Sequence, residues 1–126
     1  METINIESTP KTPSVMFDST QGLLVIKGRS IPENSVEFYR PMMEWLDLYS
    51  STPTKKTNVN IQLEYFNTSS SKCILDIFKK LESIHKKGNE ILINWFYEQD
   101  DEDMQEAGED YQAIIQIPFK MQMIAE

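Results

Sequence analysis

The chain has 126 residues, 20 Asp and Glu against 12 Lys and Arg, one His, one Cys and a formal net charge of −8. That length predicts one domain over residues 1–126 with a core that needs no covalent staples; a lone Cys excludes an internal disulfide and, with the lone His, a His/Cys zinc site within the chain. The negative balance disfavours nucleic acid, no apolar run reaches the roughly 18 residues of a membrane span, and METINIESTPKTP lacks the basic and apolar regions of a signal peptide, so the expectation is a soluble cytoplasmic protein without a cofactor.

Residues 1–12 are polar and contain Pro10, which predicts a frayed or edge segment. Val15-Met16-Phe17 and Leu23-Leu24-Val25-Ile26 flank the turn-rich spacer Asp18-Ser19-Thr20-Gln21-Gly22 and read as a β-hairpin ending at Gly28. In Ile31-Pro32-Glu33-Asn34-Ser35, Asn34 or Ser35 can cap a following helix. Val36, Tyr39, Met42, Met43, Leu46 and Tyr49 recur at steps of three and four and form one helical face. Pro41 interrupts that pattern, which predicts a kink or a 3₁₀ start.

After a loop with Pro53, Val59, Ile61, Leu63 and Tyr65 alternate with Asn60, Gln62 and Glu64, the period of a strand. Asn67-Thr68-Ser69-Ser70-Ser71 follows, five residues that all suit a helix N-cap. The next helix carries its apolar stripe on Ile74, Ile77, Phe78, Leu81 and Ile84, with Lys86 and Lys87 at the negative end and Gly88 as the stop. Ile91 to Tyr97 is a nearly continuous apolar run and reads as an interior strand.

Eight acids lie between Glu98 and Asp110 with no Lys or Arg among them, leaving 12 acids against 12 bases elsewhere. The net charge is therefore a local patch. Met104, Ala107 and Tyr111 would share one face if this window is helical. Ile115, Ile117, Phe119, Met121 and Met123 alternate with polar residues and read as a last strand, with Pro118 marking an edge. The order β-β-α-β-α-β-α-β predicts an α/β domain: a small mixed sheet of about five strands flanked by helices.

The strongest candidate for chemistry is Leu63-Glu64-Tyr65-Phe66-Asn67-Thr68-Ser69-Ser70-Ser71, because function in open α/β sheets collects at the carboxyl ends of strands. The free N–H groups of a helix N-terminus suit an anion. The hydroxyls there serve either as plain caps or as phosphorylation sites. A nucleophilic serine fits poorly: G-x-S-x-G is absent, and His85, 17 residues along the same helix, lies roughly 25 Å from Thr68 at 1.5 Å per residue. Cys73 is either a thiol of lowered pKa near the helix start or a buried hydrophobe. The acidic window misses the glycine that a calcium loop needs at its sixth position, so no metal is expected; it is either a solvated face or a docking surface for a basic partner. A cation-binding or structural module and a carboxylate-based hydrolase are the alternatives to a regulatory role.

The segments Gly28-Arg29-Ser30-Ile31-Pro32-Glu33-Asn34-Ser35, Leu63 to Ser71, and Trp95-Phe96-Tyr97 leading into Asp101-Glu102-Asp103-Met104 resemble the SiaC family of bacterial regulatory phosphoproteins. The resemblance runs from about Thr9 to Phe119, and the family is similar in fold to the STAS-type anti-anti-sigma factors. It implies a non-enzymatic partner switch: a serine/threonine protein kinase phosphorylates the chain, a PP2C-type phosphatase reverses this, and the unphosphorylated form activates a target such as a diguanylate cyclase. By the same resemblance Thr68 is the phosphoacceptor, with the adjacent Ser69 as the alternative. Glu33, Asn34 and Ser35 at the first predicted cap, and Tyr65, Phe66, Asn67, Thr68, Ser69 and Ser70 at the second, are the candidate partner-binding residues. Glu33, Asn34 and Ser35 serve equally well as local capping, and whichever of Tyr65 and Phe66 points inward is assigned to the core.

Overall fold

The structure, a computed structural model, describes residues 1–125. Six strands and three helices follow one another as β1 (Ile4–Ile6), β2 (Ser14–Asp18), β3 (Leu23–Ser30), α1 (Ser35–Tyr49), β4 (Lys56–Phe66), α2 (Thr68–Lys86), β5 (Glu90–Glu98), α3 (Glu102–Ile114) and β6 (Phe119–Ile124). The strands lie in one sheet in sequence order. The first two pairings are antiparallel and the last three are parallel. Because each parallel crossover steps in the same direction, and such crossovers are right-handed, all three helices fall on one face.

That face holds the core. Alternate strand residues such as Phe17, Leu24, Ile26, Ile61, Ile93 and Trp95 are buried against Tyr39, Leu46, Ile74, Phe78 and Leu81 of the helices. On the other face the side chains are half-exposed, and Asn60, Asn94 and Gln122 bridge three strands through amide hydrogen bonds of 2.9 and 3.3 Å.

The chain departs from the sequence-based expectations in four places. The sheet has six strands rather than five, because Ile4–Ile6 pairs antiparallel with β2 at the edge. A three-residue strand with two apolar side chains carries too little alternation to be read from sequence. β3 does not end at Gly28 but runs on to Ser30. Gly28 adopts φ +123°, and the register slips beside it so that Glu64 of β4 has no partner on β3. This bulge turns Tyr65 outward and Phe66 inward, where its ring meets Trp95 edge-on at 6.2 Å.

The third departure is α1, which runs from Ser35 to Tyr49 as one α-helix without a 3₁₀ start. Pro41 lies on the exposed side, where the carbonyl that loses its donor meets water. Val36, assigned to the buried face, is 64% exposed, and Trp45 takes the core position instead. Fourth, the last strand starts at Phe119, after Pro118, while Ile115 and Ile117 are buried in the connection before it. Of the two readings of Cys73, the buried hydrophobe is the one that holds: the thiol is buried, and desolvation, with a smaller contribution from Asp76, pushes it up, as for an inert core thiol.

The acidic window is a helix start. Asp101 caps α3 by accepting from the Met104 N–H at 3.0 Å, and Glu102 and Asp103 fill the first turn, where negative charge is favoured. At the far end of α2, His85 Nδ1 bonds the Asn89 carbonyl at 2.9 Å and Gly88 turns the chain with φ +102°.

Gly108 sets how close α3 comes to the sheet. A Cβ there would sit 2.5 Å from Cδ1 and 2.6 Å from Nε1 of Trp95 and 2.8 Å from Cε of Met121. Trp95 cannot yield easily: it is wholly buried and its Nε1 donates to the Met104 carbonyl at 3.0 Å. Gly108→Ala should therefore lose stability although alanine favours a helix by about 1 kcal/mol. Overpacking at this depth costs about 1–3 kcal/mol, and chemical denaturation of the variant should show a lower midpoint.

Candidate functional site

The parallel strands β3, β4 and β5 all end at one edge of the sheet, and α1, α2 and α3 all begin there. Two of these helix starts are tied directly together. Asn34 caps α1, its side-chain oxygen accepting from the Glu37 N–H at 3.2 Å. Asn67 caps α2, its Oδ1 accepting from the Ser70 N–H at 2.9 Å. Of the five residues suited to capping α2, Asn67 takes the position, which leaves four hydroxyls for other uses.

Those hydroxyls form a chain whose proton directions follow from its ends. Ser70 Oγ donates to the Ser30 carbonyl at 3.1 Å and accepts from Ser30 Oγ at 2.8 Å. With its proton so committed, Ser30 Oγ accepts from the Tyr39 phenol at 2.7 Å. Ser69 Oγ donates to Asn67 Oδ1 at 3.2 Å, so the 2.7 Å bond between Ser35 and Ser69 is donated by Ser35. Ser35 Oγ also lies 3.3 Å from Ser70 Oγ. The Asn67 N–H closes the loop onto the Ser30 carbonyl at 3.0 Å. Ser30, Ser35, Ser70 and Tyr39 are buried, and each polar atom among them has a partner, as burial requires.

Thr68 stands apart. It is the first residue of α2, exposed, and among the described residues its hydroxyl has no hydrogen-bond partner. Ser69 is also exposed, but both its proton and a lone pair are engaged. One turn further in, Ser71 is linked to α3: the Tyr111 phenol donates to the Ser71 carbonyl at 2.8 Å.

The remaining candidates divide. Tyr65 is 52% exposed and carries the Arg29 guanidinium 5.9 Å from its ring centroid, a stacking contact at an accessible edge. Phe66 belongs to the core, by its contact with Trp95. Glu33 is exposed on the turn before the α1 cap. The structure thus brings Asn34, Ser35, Asn67, Thr68, Ser69 and Ser70 to one edge, with Tyr65 on the neighbouring strand end. Sequence reasoning missed Ser30 and the polar half of Tyr39. Ser30 lay beyond the expected end of β3, and Tyr39 counted only as an apolar step on a helical face.

Burial pushes the Tyr39 phenol up to about 12. Burial likewise raises Tyr111, opposed by its bond to Ser71. Neither residue is a proton donor or acceptor at neutral pH. The lone His is bonded to Asn89 at the opposite end of α2, so none of these hydroxyls has a base beside it.

The fold and the site define a small α/β domain whose sheet edge presents one free hydroxyl at a helix N-terminus, backed by a closed polar network. The chain belongs to the SiaC family of regulatory phosphoproteins, whose family model matches residues 6–124. It is 30% identical to an uncharacterized protein of Pseudomonas aeruginosa strain UCBPP-PA14, over 97% of both chains. Its structure is similar to that of apo-SiaC from Pseudomonas aeruginosa, with a TM-score of 0.89 at 30% identity, covering 97% of this chain and 99% of the other. It is also similar to a chain in the structure of the diguanylate cyclase SiaD in complex with its activator SiaC from the same species, with a TM-score of 0.91 at 30% identity, covering 96% of this chain and 99% of that one.

The buried phenols give the fold a defined alkaline limit. A Tyr39 pKa raised from 10.0 to about 12 means that the unfolded chain releases this proton first, so the stability held by the neutral phenol is complete below about pH 10 and is lost as pH rises toward 12. Tyr39→Phe should cost about 1 kcal/mol near neutrality through the lost bond to Ser30. It should also flatten the stability loss between pH 10 and 12. Denaturation midpoints measured across that range test both effects.

Proposed function

We propose that the chain is a non-enzymatic partner switch in which Thr68 is reversibly phosphorylated and the unphosphorylated form binds and activates a diguanylate cyclase. The observation that carries this reading is the free, exposed Thr68 hydroxyl at the start of α2, in a chain of a regulatory phosphoprotein family. The cyclase is suggested as partner by the similar SiaC chain, described as the activator of SiaD in their complex. A serine/threonine kinase supplies the phosphate from ATP and a PP2C-type phosphatase removes it, which places the cycle in the cytoplasm. Ser69 is the less suited acceptor because its hydroxyl is already bonded on both sides.

The physics favours direct blockade over unfolding. A phosphate adds about −1.5 to −2 charge. At a helix N-terminus that charge stabilises the helix by about 0.3–2 kcal/mol, so it would order α2 rather than release it. Turning a partner from mostly bound to mostly free takes about 5 kcal/mol. Burying an unpaired charge in an interface costs about 2–5 kcal/mol, enough to supply most of that. Thr68 therefore lies inside the partner interface, with Tyr65, Glu33 and Asn34 as its accessible surroundings. The acidic start of α3 is a secondary docking surface whose contribution high salt would weaken.

Calorimetry against the diguanylate cyclase should find that Thr68→Ala binds within a few-fold of the wild type. Thr68→Glu, with less charge than phosphate, should still lose at least about tenfold, or 1.4 kcal/mol. Equal affinity for the two variants would contradict the interface role of Thr68.

A further inference from the structure

The hydroxyl network does more than hold two helices together. Thr68, Ser69, Ser70 and Ser71 are four consecutive hydroxyl residues, and a kinase that docks on this edge meets all of them within one turn of α2. Ser70 is wholly buried, and Ser71 is half-buried with its Oγ 3.0 Å from the Tyr111 phenol. Ser69 is different: it is exposed like Thr68, one residue away. What separates the two is bonding. Thr68 has no partner among the described residues, whereas Ser69 gives its proton to Asn67 Oδ1 and accepts the Ser35 hydroxyl at 2.7 Å.

We propose that Ser35, at the start of α1, is a specificity-determining residue that confines phosphorylation to Thr68 by holding the Ser69 hydroxyl out of reach. The proposal rests on the phosphorylation reading above and adds to it the residue that selects between two adjacent acceptors. In phosphoryl transfer the acceptor oxygen must approach the γ-phosphorus in line, a lone pair directed at phosphorus and its proton passing to the kinase's catalytic Asp; the new O–P bond forms as the bond to the ADP leaving oxygen breaks. Ser69 Oγ is poorly disposed to do either while Asn67 Oδ1 holds its proton and the Ser35 hydroxyl occupies one of its lone pairs and ties the oxygen to α1. Its side chain is turned toward α1. Removing the Ser35 hydroxyl releases the stronger of the two ties and leaves the 3.2 Å bond to Asn67, which solvent or the kinase can displace. Ser35 acts through Ser69 and touches neither nucleotide nor phosphate.

The remaining network tolerates the change. Ser70 keeps its bonds to Ser30 Oγ and to the Ser30 carbonyl, and the α1 cap on Asn34 is untouched. Ser35→Ala should therefore fold, which its circular dichroism and melting curve establish before any other measurement.

The test compares four full-length chains recovered from the native host and mapped for phosphate by mass spectrometry: wild type, Ser35→Ala, Thr68→Ala, and the double variant Ser35→Ala with Thr68→Ala. The wild type should carry phosphate on Thr68 and none on Ser69, and Thr68→Ala should carry none on either. In Ser35→Ala phosphate should appear on both residues, and in the double variant on Ser69 alone, at least tenfold above the Thr68→Ala level. A double variant as unmodified as Thr68→Ala overturns the role of Ser35, as does a Thr68→Ala chain that is readily phosphorylated on Ser69 with Ser35 intact. A wild type with no phosphate on Thr68 overturns the underlying reading of the switch, a result distinct from either. Should Ser35→Ala melt well below the wild type, Ser35→Thr provides the second comparison: it keeps a hydroxyl at the same position, so Ser69 should again stay unmodified, and phosphate on Ser69 in that chain overturns the proposal.

Discussion

Ser30 is the knot on which the functional edge depends. It is the last residue of β3, fully buried, and both its polar groups serve neighbours that are distant in sequence. Its carbonyl receives the Asn67 N–H and the Ser70 hydroxyl, and its own hydroxyl joins Tyr39 to Ser70. One strand end thereby sets the starting points of α1 and α2. Unpaired polar groups at this depth cost about 1–3 kcal/mol each, so every buried polar group of the network must keep a partner. The exposed Thr68 hydroxyl is free because everything beneath it is already engaged.

The same edge explains why a small charge change can matter in a chain with 20 acids. The whole net charge lies between Glu98 and Asp110, where its acids cap and start α3. The α2 start has no acid in its first turn. A negative group on Thr68 would thus meet free N–H groups and a favourable dipole. Intramolecularly it is welcome, so in the proposed switch it is the partner that rejects it. A switch built this way keeps its own fold constant and changes only what its surface can accept, in line with membership of a regulatory phosphoprotein family.

Much of this was legible in the sequence, for reasons that differ between elements. The α2 stripe from Ile74 to Ile84 and the alternation from Val59 to Leu63 are strong periodic signals, and the helix and strand lie where they predict. The cap residues Asn34 and Asn67 were among the candidates because few residue types fit that position. What periodicity could not carry was the bulge opposite Gly28, which shifts one residue and reverses Tyr65 and Phe66. Nor does a pattern of apolar steps say that Tyr39 brings a hydroxyl into a polar cluster. The bonds from Ser35 to Ser69 and from Ser30 to Ser70 span 34 and 40 residues; only the parallel order of β3 and β4 brings those positions together. Pro41 did not open α1 with a 3₁₀ turn, and it lies within the helix on the side that faces water.

The central claim is that phosphate on Thr68 acts on the partner interface and leaves the domain folded. Amide hydrogen exchange on the Thr68-phosphorylated chain, compared with the unphosphorylated chain, tests it most directly. The account predicts unchanged protection in α1 and the sheet and equal or greater protection in the first turns of α2. Loss of protection spreading through α1 and α2 would contradict it.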